Sequence, residues 1–319
     1  MIKYIFGFVL ITAVGILYEK YKKKYVPDEE LRKISLIRKF LLNDKEDEGK
    51  PMLWIHTTRD INARNWKSFN SRNSDQLNQP YIISCVETII KKCGDSFNIC
   101  LINDDSFDKL LPSWEINLNK LTDPVKNHVR QLALSKILYT YGGLLLPNST
   151  IVMKDLKPIF DKALIKTTFF AVEGINKCSS ADMIALFPMT NILGCHKNSE
   201  PLKHYIGYLE RKISSDYTGE GNFLGEDNKF LYQLYKNNKI SLVGGAVFGI
   251  VDKHRKMVTI ENLMSNVFIE FDKLKTHAIF IPSDEILKMI PYQWFARLSQ
   301  KQLRNCDNAI AKHLVVALG

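Results

Sequence analysis

Residues Leu134–Ile159 read LSKILYTYGGLLLPNSTIVMKDLKPI, and a change of period inside this stretch decides the architecture. Up to Tyr141 the apolar positions are Leu134, Ile137, Leu138 and Tyr141, the spacing of one helix face. Gly142-Gly143 then stops the helix, because glycine takes a positive φ without strain. Leu144–Leu146 follow as a short continuous apolar run, which suits a strand buried on both faces. The helix also has a start. Asp123-Pro124 offers an N-cap followed by proline at the first position.

Moving outward, the same alternation recurs. MLWIHT (Met52–Thr57) is a short apolar run that predicts a buried strand. Ile82, Cys85, Val86, Ile89 and Ile90 line one face of a helix. FNICLI (Phe97–Ile102) predicts a second strand, stopped by Asn103-Asp104-Asp105. Downstream, strands are expected at Thr168–Val172, Met183–Phe187, Ser241–Val243 and Ala278–Ile281. Helices are expected at Pro201–Ile213, Asp227–Tyr235 and Ser299–Leu314. Strands alternating with helices predict an α/β fold with a mainly parallel sheet flanked by helices. Ligands in such sheets bind beyond the carboxyl ends of the strands. Those ends are His56–Asn73, Asn103–Ser106 and Pro147–Thr150.

The chain has 319 residues, 45% of them hydrophobic, enough for one large core or two modest ones. With Gly 16 and Pro 11 it is neither fibrous nor disordered in composition. The net charge of +10 favours phosphate-bearing partners. Zinc-finger spacing and RNA-binding aromatic motifs are absent, so nucleic acid is not the expected partner. The six cysteines form no CxxC pair and mostly sit in apolar runs, which reads as reduced core thiols.

The expected organisation is a membrane anchor over 1–18, a charged stalk over 19–50 and one domain over 51–319. Tyr4–Tyr18 (YIFGFVLITAVGILY) carry no charge, and flanking lysines and tyrosines extend the short span. A cleaved signal peptide is the rival reading, but bulky Leu17 and Tyr18, then Glu19 and Lys20, stand where small residues belong. Residues 19–50 hold 10 Lys/Arg against 8 Asp/Glu. Lys20, Lys22, Lys23 and Lys24 outnumber the upstream Lys3, which places the main domain of a single-pass protein on the cytosolic side. A Golgi, ER or viral membrane with a lumenal domain is the alternative.

Leu134–Ile159 resembles the core of sugar transferases with a DXD motif, of the capsular polysaccharide synthesis type. Leu138, Tyr139, Tyr141, Gly142, Gly143 and Lys154-Asp155-Leu156 match that family's pattern. LWIHT, QPYIISCVETIIKKC and FNICLINDD match its preceding elements, so the resemblance spans about residues 50–165. It implies a GT-A-like fold, a nucleotide-diphospho-sugar donor, a glycan or other hydroxyl acceptor, and Mn²⁺ or Mg²⁺ held by the DXD carboxylates. The departures fall on those carboxylates. Pro147, Asn148 and Ser149 occupy the DXD positions, and Gln131 and Leu134 replace an upstream Asp and Arg. Arg130 lies one position from that Asp and is the candidate replacement for the Arg. A divalent cation wants carboxylate oxygens, so no metal is expected at this motif.

Cationic groups must then balance the diphosphate. TTRDINARNWKSFNSRNS (Thr57–Ser74), after the first strand, offers Arg59, Arg64, Lys67 and Arg72, with Trp66 and Phe69 as stacking surfaces. A solvated basic loop is the plain alternative. The expected donor-binding set is His56, Thr57, Arg59, Trp66, Arg72, Asp104, Arg130, Gly143, Asn148 and Ser149. Asp227 and Glu173 are the candidate catalytic carboxylates, Asp227 being alternatively a helix cap. Trp294 and Phe295 suit either a sugar face or the core. Two functions remain open: an active, metal-independent glycosyltransferase, or an inactive membrane-anchored homologue that acts by binding.

Overall fold

The structure, a computed structural model, describes residues 41, 49–58, 79–177, 184–215 and 225–319. The expected anchor and nearly all of the stalk lie outside them. So do Arg59, Arg64, Trp66, Lys67, Phe69 and Arg72. Among the described residues no helix is long and apolar enough to cross a membrane.

The chain enters a strand β1 at Met52–His56, then a helix α1 at Pro80–Cys93, then β2 at Asn98–Ile102. A second helix, α2, spans Val125–Tyr141 and leads into β3 at Gly143–Pro147. Strand β2 pairs in parallel with one side of β1, and β3 in parallel with the other. After β4 (Thr150–Val152) come helix α3 (Lys157–Ala163), strand β5 (Phe169–Ile175) and strand β6 (Leu186–Cys195). Helices α4 (Glu200–Ser214) and α5 (Glu226–Lys236) precede β7 (Ser241–Val243). The central sheet has the order β2-β1-β3-β6-β5-β7. Only β6 runs against the rest, antiparallel to both β3 and β5. The expected mainly parallel sheet flanked by helices is therefore present.

Alternation along β1 sets the layers. Trp54 faces α2, in a cluster with Cys100, Ile102, Leu132, Ala133 and Ile137. Leu53 and Ile55 face the other way, against Ile89 and Cys93 of α1. On that side a small antiparallel sheet joins β4 to β8 (Ala278–Phe280). A third cluster, around Tyr81, Ile279 and Phe295, carries the C-terminal helices α6 (Gln300–Arg304) and α7 (Ala309–Leu318).

The Gly142-Gly143 pair does what the sequence asked of it. Both residues have positive φ, 72° and 104°. A Cβ on Gly143 would stand 2.2 Å from the Met52 carbonyl oxygen, so β3 approaches the start of β1 only because glycine is there. Trp54, fully buried, donates its indole N–H to the Gly142 carbonyl at 2.9 Å.

Three expectations need correction. Helix α2 starts one residue late, with Pro124 at the cap position, where no side-chain oxygen is available to bond the first turn. The expected helix Ser299–Leu314 is two helices. Asn308 ends the break by accepting from the Ala311 N–H at 2.8 Å, as an N-cap does. Strand β6 extends to Cys195, well past the expected Phe187. Pro188 obscured it, since proline inside an apolar run argues against a strand.

Candidate functional site

The order β2-β1-β3 creates a topological switch point. The chain leaves β1 for β2 on one side, then crosses back over β1 to β3 on the other. The two crossover helices cover opposite faces, and between the carboxyl ends of β1 and β3 is where sheets of this kind place a ligand crevice. His56 and Pro147 are register partners at those ends, which puts Thr57 and Asn148 at the lip.

His56 belongs to a charged network. Its Nε2 lies 2.8 Å from Asp104 Oδ1. Arg130 grips the same carboxylate bidentately, Nε to Oδ1 at 2.8 Å and Nη2 to Oδ2 at 2.6 Å. Asn127 accepts from the third guanidinium nitrogen at 2.7 Å, and the Phe107 ring stacks on His56 at 5.6 Å. Burial alone would raise the Asp104 carboxyl, but hydrogen bonds from Arg130 and His56 outweigh it and hold it below the usual carboxylate range. Burial lowers the His56 pKa despite the Asp104 hydrogen bond, so a neutral imidazole donates from Nε2. A cavity of about 350 Å³ adjoins Asp104, lined also by Asp108, Trp114 and Asn117. A larger one, about 570 Å³, lies apart on the outer side of α4 and α5.

The expected donor residues divide. His56, Asp104, Arg130 and Asn148 are all at the carboxyl rim. The Asn148 side chain is half-buried. Thr57 is fixed to the end of β2 by its N–H, which donates to the Ile102 carbonyl at 2.9 Å. Ser149 is not available to a ligand: it is buried and its hydroxyl donates to the Ile281 carbonyl at 2.7 Å. Gly143 is at the wrong end of β3, about 13 Å of strand away from Pro147. Its requirement is close packing, not ligand contact.

The two carboxylates also differ from expectation. Asp227 sits in the first turn of α5, behind Gly225 at the cap position, and accepts from Lys212 Nζ at 2.7 Å. That pair is sealed, with side chains 7% and 5% exposed. Asp227 is therefore neither a cap nor a carboxylate open to an acceptor. Glu173 accepts from the Gly245 N–H at 3.0 Å through Oε2 and remains half-buried at the carboxyl end of β5. Phe295 is fully buried beside Tyr81, 5.2 Å between ring centres, whereas Trp294 is 46% exposed.

Sequence reasoning passed over Lys212 and noted Gln131 only as a departure from the family pattern, with no role of its own. Lys212 continues the apolar stripe of Leu202, Tyr205 and Leu209, and a lysine on such a face signals a buried partner. Gln131 donates to the Thr190 carbonyl at 2.6 Å, tying α2 to β6. Its polarity on the buried side of α2 was the available sign.

No protein-family model and no curated protein matches this chain. Solved structures of glycosyltransferases share a loose likeness, three of them as follows. The apo form of glycosyltransferase GlyE from Streptococcus pneumoniae TIGR4 is 11% identical, with a TM-score of 0.36 over 62% of this chain and 46% of that one. A galactosyltransferase LgtC in complex with donor and acceptor sugar analogues is 10% identical, with a TM-score of 0.32 over 63% and 74%. An active-site mutant of LgtC is 13% identical, with a TM-score of 0.36 over 77% and 99%. The chain thus spans under half of the apo GlyE chain.

The divalent cation that the sequence resemblance implies does not fit the residues at this motif. Pro147 has no side-chain donor, Ser149 is turned to Ile281, and Asn148 alone offers a neutral oxygen. A hard cation needs carboxylate oxygens that these positions do not supply.

Proposed function

We propose that the chain is a glycosyltransferase-like protein that binds a nucleotide-diphospho-sugar at the β1/β3 crevice and transfers the sugar to a glycan or other hydroxyl acceptor without a bound metal. One observation carries the reading: the switch point brings His56 and Pro147 into register, and the basic stretch Thr57–Ser74 continues from the same strand end. The resemblance of Leu134–Ile159 supplies the ligand class. In this reading Arg59, Arg64, Lys67 and Arg72 offset the diphosphate charge through forked hydrogen bonds. Trp66 stacks on the base, and Asn148 donates to a phosphate or sugar oxygen. Glu173, with Oε1 not used in its bond to Gly245, is the base candidate for the acceptor hydroxyl. The N-terminal apolar stretch anchors the protein as a single-pass chain with the domain on the cytosolic side.

Thermal stabilisation by uridine and guanosine diphosphates, with and without Mn²⁺, tests the proposal. A shift without Mn²⁺ that Arg59→Ala diminishes is expected. No shift with any nucleotide rejects it.

A second reading, an inactive binding homologue, is favoured by the sealing of Asp227 against Lys212. It predicts nucleotide binding with no turnover of any nucleotide-sugar, unchanged in Glu173→Gln.

A further inference from the structure

The end of the sheet opposite the crevice carries its own surface. Asn98 Nδ2 donates to the Lys50 carbonyl at 3.2 Å where the N-terminal segment joins the domain. Two residues away, Ser96 Oγ donates to Asp155 at 2.6 Å. Next to Asp155, Lys154 Nζ donates to the Lys273 carbonyl. These contacts lead from the junction with residues 1–48 to a turn that presents Leu274 between Lys273 and Lys275. Leu274 is 87% exposed, the most of any large apolar side chain described.

The turn is built rather than loose. Asp272 Oδ1 accepts from the Leu274 N–H at 2.9 Å and the Lys275 N–H at 3.3 Å, which fixes the Leu274 side chain outward. A neighbouring hairpin repeats the device. Asp252 Oδ1 accepts from the backbone N–H of His254 at 2.8 Å and of Lys256 at 2.9 Å. That hairpin exposes Lys253, Arg255 and Lys256 beside Met257, itself 45% exposed. The Lys253 N–H donates to the Glu270 carbonyl at 2.9 Å, which joins the hairpin to the segment leading into the Leu274 turn. Asp252 and Asp272 each turn Oδ1 to backbone N–H groups. Lys253 also pairs with Glu270, and Lys275 meets Asp272 Oδ2 at 3.4 Å, while Arg255, Lys256 and Lys273 are exposed beside the apolar tips.

We propose that this surface docks on an anionic lipid bilayer, with Leu274 and Met257 entering the headgroup layer and the flanking lysines and Arg255 meeting lipid phosphates and carboxylates. Charge complementarity supports a lipid surface. So does the sequence that joins the domain here: Tyr4–Tyr18 without a charge, then Lys20, Lys22, Lys23 and Lys24. The proposal does not depend on what the β1/β3 crevice binds.

The test uses the full chain with Leu274→Cys carrying an environment-sensitive dye. The wild-type chain treated with the same dye supplies the blank, and Asn119→Cys on the crevice side is the control. Vesicles of phosphatidylcholine with phosphatidylserine should shift emission at position 274 to the blue, and pure phosphatidylcholine much less. High salt and the pair Lys273→Glu/Lys275→Glu should each reverse the shift. Position 119 should not respond, and the melting temperature of each variant shows that it is folded. Three outcomes overturn the proposal: no shift at 274 on vesicles that hold the chain, an equal shift with and without phosphatidylserine, or a shift without vesicles that grows with protein concentration. The last would assign the surface to a second copy of the chain.

Discussion

Asp104 with Arg130, and Asp227 with Lys212, are both carboxylate–cation pairs, at 2.6 Å and 2.7 Å, yet they are different devices. The first is 14% and 15% exposed, bidentate, joined to His56, and placed beside the crevice. The second is 7% and 5% exposed and links two helices through an ammonium–carboxylate bond. The rim pair is the more exposed of the two, so Arg130 is the cation nearer to solvent and to any ligand at that edge. A carboxylate near a ligand edge is therefore not thereby a reactive one. What matters is how far the pair is open to solvent.

The largest effect should come from breaking the sealed pair. Asp227→Ala leaves a buried ammonium without its main counter-charge and should cost about 3–5 kcal/mol in urea unfolding. The double change Asp227→Leu/Lys212→Met should recover most of that loss, because burying two charges is itself expensive. If Asp227→Ala were nearly neutral while abolishing turnover of a nucleotide-sugar, Asp227 would return as a catalytic carboxylate.

Arg130→Ala should cost less, about 1–2 kcal/mol at neutral pH, since the rim pair is partly screened by solvent. Its pH dependence gives the sharper signature. The Asp104 carboxyl is held below its ordinary value in the folded state, so the stability it contributes is present above the unfolded-state value near 3.8 and is lost as pH falls below it. The difference between wild type and Arg130→Ala should therefore shrink on acidification through that window. A penalty independent of pH would mean that Arg130 acts by packing alone.

These pairs also mark where the sequence was legible. The helix, glycine pair and strand of Leu134–Leu146 could be read because period, stop signal and burial all agree there. The same alternation put His56, Asp104 and Asn148 at carboxyl ends of strands, and the resemblance singled out Arg130; the strand order that creates the switch point is legible only in the structure. Ser149 and Gly143 misled because the resemblance assigns positions and not side-chain direction. Ser149 is turned by the segment after strand β8, more than a hundred residues away in sequence. Asp227 misled for a related reason. Its glycine-rich approach resembles a ligand loop, while the partner that removes it from chemistry lies on another helix. Which carboxylate is sealed is decided by packing between distant elements, and local pattern does not carry that.

The smallest effects should come from Asn148 and Ser149, and they separate stability from binding. The Ser149 hydroxyl donates to a carbonyl in a buried position, so Ser149→Ala leaves that oxygen without its donor and should cost about 1 kcal/mol. Asn148 is half-buried at the lip, and Asn148→Ala should stay within about 0.5 kcal/mol of wild type. The order should invert for nucleotide-induced thermal stabilisation. Asn148→Ala should reduce it, because its amide is a side-chain donor at the switch point, directly after the end of β3. Ser149→Ala should leave it nearly intact. Equal losses of nucleotide stabilisation in the two variants would mean that the turn acts as a unit, and Asn148 would then have no claim to touch the diphosphate.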